Sequence, residues 1–221
     1  MPNDSLSHNV LIRPYEPRDR SAVWKICCDT ADEGKPVENI FRDREVVADF
    51  LVRYYTDYEP GAMWVAEEEG RVVGYVSGCL DNRRYRRIMA RRLGPLAVLK
   101  AIGRGLLGSR RTWRFLGRGM KNWLQGKWPA PVPEKVYSGH LHVNIQQEFR
   151  GHEVGRRLVE KFCEQARAAG LKGVYASVNA NNRAACQFFE RLRFILLSAS
   201  PATETDRNRH TPERVIYGTR F

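Results

Sequence analysis

Residues 149–162 read FRGHEVGRRLVEKF, with Gly151 and Gly155 set between an apolar, strand-like run and an amphipathic helical pattern. Strand, glycine turn and helix in that order leave the first amides of a helix unpaired beside a strand end. Those donors and the positive end of the helix dipole attract anions, and Arg150, Arg156 and Arg157 add charge. Such a corner is either a phosphate cradle or a plain connection. Just upstream, GHLHVNI alternates His140, His142 and Asn144 onto one strand face.

One residue in the turn is out of keeping with a phosphate site. Glu153 stands at the fourth position of Arg-Gly-x-x, where such a loop favours glycine. A side chain there narrows the choice of φ, and a carboxylate approaches the ligand's own charge. Two like unit charges roughly 6 Å apart repel by under about 1 kcal/mol in water and by several times that when partly buried. Weakened rather than abolished anion binding follows if the arginines offset Glu153.

The surrounding pattern supplies the positioning elements. NVLIRPYE alternates and stops as a first strand, and Val23, Trp24, Ile26 and Cys27 share one face of a helix ended near Gly34. A second helix is expected across residues 44–58. AMWVAEE and VVGYVSGCL around a glycine turn make a hairpin. KVYSGHLHVNI returns to strand, and the helix after the turn buries Val154, Leu158, Val159, Phe162 and Ala166. GVYASV is a further strand, NNRAACQFFERL a helix capped by Asn181 or Asn182, and RFILLSAS and ERVIYGTRF complete the sheet. The reading is a single α/β (α+β) domain over residues 1–221, with a mixed, mostly antiparallel sheet of about seven strands flanked by helices.

Charge is concentrated in one place. The chain of 221 residues carries +12, yet residues 82–133 hold 14 Lys or Arg and no acid, which leaves 12 − 14 = −2 for the remainder. Residues 82–135 are therefore read as a basic, mostly helical insertion between the third and fourth strands. Leu96, Leu99, Ile102 and Leu106 share a helical face there, with Lys100 and Arg104 beside it. Three readings stand: a lid over an acceptor site, a surface for anionic lipid in which Trp113, Trp123 and Trp128 take part, or a nucleic-acid grip, the last two through residues 83–128. The opening MPNDSLSHNV lacks the basic start and apolar stretch of a signal peptide, and no apolar run approaches the roughly 20 residues of a bilayer span. Five cysteines without a C-x-x-C pair fit a reducing compartment, so a cytoplasmic location is expected.

The stretch VNIQQEFRGHEVG, followed some thirty residues later by NNRAACQFFERLRF, resembles the two signatures of the GNAT superfamily of N-acetyltransferases. The likeness extends over residues 11–80 and 136–221. Within that superfamily, GHLHVNI and DEGKP are similar to the acetyltransferase-like domain allied to O-GlcNAcase. The resemblance implies the GNAT fold, acetyl-CoA as co-substrate, an amine acceptor and no metal. It also implies that backbone groups of Val143, Asn144 and Ile145 pair with the pantetheine arm. The amides of Arg150, Gly151, His152, Glu153, Val154 and Gly155 would hold the pyrophosphate, with Arg156 beside them. Asn182 and Phe189 fall where the second signature flanks the thioester.

By that resemblance a neutral amine attacks the thioester directly, and a base titrating near neutrality removes its proton. His142 is the candidate base, with Asn144 beside it on the strand; the alternative is that His140 and His142 simply hydrogen-bond within the sheet. A bulge in this strand would change the faces. Phe189 replaces the tyrosine whose hydroxyl commonly protonates the thiolate, leaving Tyr137 and Tyr175 as substitute acids or Phe189 as plain core. Arg193 replaces a glycine at the helix C-terminus. Glu153 and Phe189 together support a rival reading, an impaired acyl-CoA-binding or partner-binding module on the same fold.

Overall fold

A computed structural model of the protein describes residues 9–32, 34–39, 43–106, 132–199 and 214–221. Seven strands form one sheet: β1 Leu11–Pro14, β2 Met63–Glu68, β3 Arg71–Cys79, β4 Gly139–Ile145, β5 Gly173–Asn179, β6 Ile195–Ala199 and β7 Arg214–Arg220. They lie in the order β1-β2-β3-β4-β5-β7-β6. Every neighbouring pair is antiparallel except β4 with β5. The β2–β3 hairpin turns on Glu69 and Gly70, both at positive φ (47° and 77°), as a two-residue loop matched to strand twist requires.

Among the described residues, seven α-helices accompany the sheet: α1 Arg20–Thr30, α2 Arg44–Leu51, α3 Arg53–Tyr58, α4 Asn82–Ile88, α5 Gly94–Gly103, α6 Val154–Ala168 and α7 Arg183–Arg191. The helix expected over 44–58 is thus two. Val52 closes α2 by donating to the Ala48 carbonyl, then leaves helical geometry at φ −122°. The break lets Val52, Tyr54 and Tyr55 all turn into one core. Against one sheet face pack α6 and α7, and the buried stripe of α6 is Val154, Leu158, Val159, Phe162 and Ala166, as its 3.6-residue period predicts. The other face is covered by α1 and α3, with Val23, Ile26, Tyr54, Tyr55 and Tyr75 at its centre.

Small residues on β3 set the depth at which α6 seats. A Cβ added at Gly78 would stand 1.8 Å from Phe162 Cε2. Gly78→Ala is accordingly expected to destabilise the fold by about 1–3 kcal/mol, the usual cost of overpacking. Thermal unfolding should show a midpoint lowered by roughly 2–4 °C per kcal/mol. Adding Phe162→Leu should return part of the loss, because the ring is what the new methyl strikes.

The basic insertion leaves β3 as α4, passes through one π turn at Met89–Leu93, and continues as α5. Trp113, Trp123 and Trp128 lie outside the described residues. Leu106, the last residue read into the apolar face of this segment, is partly buried against Cys28, Val37 and Val46. Leu96, Leu99 and Ile102 are exposed, whereas Lys100 and Arg104 turn inward onto α2. Lys100 Nζ sits 2.6 Å from Asp49 and also meets Glu45; Arg104 bonds Asp43 at 2.7 Å and Glu45. Asp49 is almost fully buried. A buried carboxylate must be paired, and that requirement outweighs burial of three aliphatic side chains. Among the described residues, no helix is long and apolar enough to cross a membrane.

Candidate active site

The parallel pair β4–β5 holds for only two registers, Gly139 with Val174 and His140 with Tyr175. Beyond them the strands part. β4 stays paired to β3 as far as Ile145, without a bulge, while β5 stays paired to β7 as far as Asn179. Among the described residues, Leu141 to Ile145 therefore have no ladder partner on the β5 side, and the sheet carries a wedge-shaped opening. Unbroken pairing with β3 also keeps strict alternation, so His140, His142 and Asn144 do share a face.

At the end of β4 the chain makes a short 3₁₀ turn over Gln147–Phe149, Arg150 runs extended, and Gly151 takes φ +85°. Glu153 is the N-cap of α6 and adopts the left-handed conformation at φ +61°. The backbone thus demands at 153 the geometry that glycine adopts without strain, and a glutamate supplies it. Helix geometry leaves the amides of Val154, Gly155 and Arg156 without an internal acceptor; the first internal bond runs from the Arg157 amide to the Glu153 carbonyl at 3.0 Å. The Glu153 carboxylate does not fill the corner. It is 63% exposed and turned back on Arg156, which also meets Glu160 at 3.2 Å.

Among the described residues, neither Arg150 nor Arg157 is bonded to a carboxylate. Arg150 Nε donates to the Ile145 carbonyl at 3.0 Å, and Arg157 to the Val10 carbonyl at 2.9 Å. Carbonyl partners orient a guanidinium without neutralising it, so both charges still act on the turn. Gly155 is needed for contact rather than φ: an added Cβ would lie 2.9 Å from Ile145 Cδ1 and 3.0 Å from Phe188. The corner fits a pyrophosphate, with open amides, residual positive charge and a close-packed glycine behind them.

The two histidines part company in environment. His140 is buried, with Nδ1 2.6 Å from Asn82 Oδ1 and Nε2 2.7 Å from the Tyr55 hydroxyl. Asn82 directs its amide nitrogen to the Tyr137 carbonyl, so its oxygen faces the ring. That makes Nδ1 the protonated nitrogen and Nε2 the acceptor from Tyr55. Burial drives the His140 pKa well down. With both nitrogens satisfied, His140 is a fixture of the wall. His142 is open to solvent on the same face, its ring centroid 5.5 Å from that of His140 and 5.8 Å from that of Tyr55. Desolvation by the surrounding protein, then the charge of Arg214, depress its pKa to about 4. Contact with water on its open side tempers the desolvation, and the direction leaves a neutral imidazole at pH 7. It titrates below the near-neutral value expected of the base, because desolvation and Arg214 both disfavour its charged form.

The remaining candidates fall as follows. Asn144 Nδ2 donates to the Tyr75 hydroxyl at 2.8 Å. Val143 and Ile145 lie on the unpaired edge, pointing into the α6 side. The Asn182 side chain accepts from the Ala185 amide at 3.0 Å, so it caps α7. Phe189 is buried against Phe194 and stacked near Tyr217, which places no hydroxyl at that point of the helix. Tyr137 packs against Ile216 at the closed end of β4–β5, away from the opening, so as a substitute acid it is misplaced. Tyr175 stands at the fork itself, in register with His140, and burial pushes its hydroxyl up to about 12. Sequence reading missed Tyr55, Asn82, Ser177 and Arg214; no local pattern marks them, because each reaches the site through tertiary contact.

The fold and one stretch of the sequence have counterparts among known proteins. Residues 123–194 match the model of the Acetyltransferase (GNAT) family. The chain is similar in structure to SsHAT, with 27% identity and a TM-score of 0.71 over 96% of this chain and 98% of that one. It is also similar to yncA from Salmonella typhimurium, solved with its cofactor acetyl-CoA (14%, TM-score 0.57, 96% and 93% covered). A third likeness is to the polyamine N-acetyltransferase of Drosophila melanogaster (13%, TM-score 0.58, 96% and 100% covered). No curated protein sequence matches the chain. The fold is that of the GNAT acetyltransferases.

Proposed function

We propose that the protein is an N-acyltransferase that moves an acetyl group from acetyl-CoA to the amine of a small molecule or protein. The observation that carries this reading is the opening between β4 and β5, with an anion corner at its end and an accessible, neutral His142 on its other side. The amides of residues 151–156 would hold the pyrophosphate, and the free edge of Val143, Asn144 and Ile145 would pair with the pantetheine arm. In the reaction, His142 takes a proton from the acceptor ammonium. The amine nitrogen then bonds to the thioester carbon as the carbon–sulfur bond breaks, with the electron pair leaving on sulfur. A strand amide stabilises the oxyanion. Tyr175, protonated at neutral pH, is placed to give its proton to the thiolate and to regain one from the acylated nitrogen.

The basic insertion is proposed as the acceptor wall and lid. Asn82 and Tyr85 of α4 hold and pack against His140, at a centroid distance of 4.8 Å for Tyr85, and α5 is latched to α2 through Lys100 and Arg104. The exposed Leu96, Leu99 and Ile102 favour anionic lipid over nucleic acid as a further contact, to be read by vesicle binding over a salt series. Placement beside the O-GlcNAcase-allied domain rests on GHLHVNI and DEGKP alone. A cytoplasmic location is proposed from five free thiols.

Calorimetry with acetyl-CoA tests the reading. Micromolar affinity is expected, and a dissociation constant beyond millimolar would overturn it. The buried Phe189 favours a second reading, a binding module without turnover; tight binding with no release of free thiol for any amine would select it.

A further inference from the structure

Arg214 opens β7 opposite Asn179, on the sheet face that carries His142. Its guanidinium does not extend along β7's end. Nη1 turns back across β5 towards Ser177 Oγ, at 3.5 Å. Ser177 pairs with Ile216 and lies two residues beyond Tyr175, the last residue of β5 paired to β4. Had the parallel ladder continued, Ser177 would face His142. The cation therefore spans the β5 side of the opening at the level of the candidate base. Its charge is felt by His142 and by Tyr85 of α4.

Among the described residues, the walls around this point are Tyr55, Tyr85, Tyr175, His142, Ser177 and Arg214. None is acidic. Among the described residues, the carboxylate whose charge reaches Tyr175, Glu134, is held by Arg86 at 2.5 Å. Arg214 is bonded to no carboxylate among the described residues. An acceptor that arrives as a bare ammonium would meet only a like charge here. One that carries its own oxyanion beside the amine would pair that oxyanion with the guanidinium, in the planar two-point geometry that arginine offers.

We propose that Arg214 selects the acceptor, and that the acceptor is an amine bearing a carboxylate or a phosphate. This rests on the acetyl-transfer reading. The oxyanion lies across the opening on Arg214 and the amine faces His142, with aromatic rings on the remaining sides. Arg214 acts in binding, so its effect belongs in KM.

The test uses acceptors matched except for the anion: L-phenylalanine against phenethylamine, and phosphoethanolamine against ethanolamine. Thiol release from acetyl-CoA is followed for wild type, Arg214→Gln and Arg214→Lys. Wild type is expected to favour the anionic member of at least one pair by about tenfold or more in kcat/KM, mostly through KM. Which pair shows it distinguishes carboxylate from phosphate. Arg214→Gln should bring that ratio close to one, Arg214→Lys should keep part of it, and acetyl-CoA affinity should stay unchanged in both. Equal use of both members by wild type, or a preference that survives in Arg214→Gln, overturns the proposal while leaving acetyl transfer standing. Should acetyl-CoA not bind, the transfer reading falls. Calorimetry of the anionic amines alone then still decides for Arg214, by whether wild type binds them more tightly than Arg214→Gln.

Discussion

His142→Gln is expected to lower kcat/KM by about 10²–10⁴-fold, the range that loss of a positioned general base produces. Acetyl-CoA affinity should change little, because no contact of the phosphate corner passes through this ring. The pH dependence carries the sharper test. A base works unprotonated, and the folded-state pKa of His142 is depressed, to about 4. Activity that depends on it is therefore present at neutral pH and is lost as pH falls through the depressed value. The acceptor amine titrates too, but identically in wild type and variant. Their ratio isolates His142: it should stay level from neutral pH upward and shrink only well below 6.5, the ordinary histidine value. A ratio that collapses around 6.5 would mean that desolvation and Arg214 do not act on this ring. Equal rates in wild type and variant would remove His142 from the mechanism.

Glu153→Gly is expected to tighten acetyl-CoA binding by about tenfold and to stabilise the fold by about 1 kcal/mol. The two effects have different origins. Stability rises because φ is +61° at a position now free of a Cβ. Affinity rises because a carboxylate near the expected pyrophosphate is removed and Arg156, its partner, is released towards the ligand. Arg193 separates them. It too sits at φ +61°, past the end of α7. There the Phe194 amide bonds the Phe189 carbonyl at 3.0 Å and the Arg193 amide bonds that of Glu190 at 2.9 Å, which is the Schellman arrangement. Arg193→Gly should raise thermal stability to a similar degree and leave acetyl-CoA affinity alone. Calorimetry beside thermal unfolding reads both variants. Affinity unchanged in Glu153→Gly would mean that the corner does not hold the phosphates.

The two glycine positions also show how far sequence reading reaches. A missing glycine at 153 and at 193 reads from the sequence as a change in ligand binding or in helix termination. In the structure the backbone keeps its left-handed turn at both, because the surrounding hydrogen bonds fix it and the side chains point outward. The buried stripe of α6 was fully legible, since a helix turned against a sheet obeys one period and depends on nothing distant. The shared face of Leu96, Leu99 and Ile102 on α5 was legible too, but not which way it turns. Leu96, Leu99 and Ile102 face out because buried Asp49, more than 50 positions away, requires Lys100.

What the linear order of residues determined is the local grammar: seven strands, the glycine turn, the long amphipathic helix, and a base candidate two residues from its twin. What only tertiary structure decided is which histidine is free and what faces it. Tyr55, 85 residues from His140, and Asn82, 58 residues away, saturate one ring and leave the other accessible. Arg214 reaches the same opening from the last strand. Periodicity encodes which face a residue occupies, but hydrogen-bond saturation and charge depend on neighbours that only the folded chain assembles.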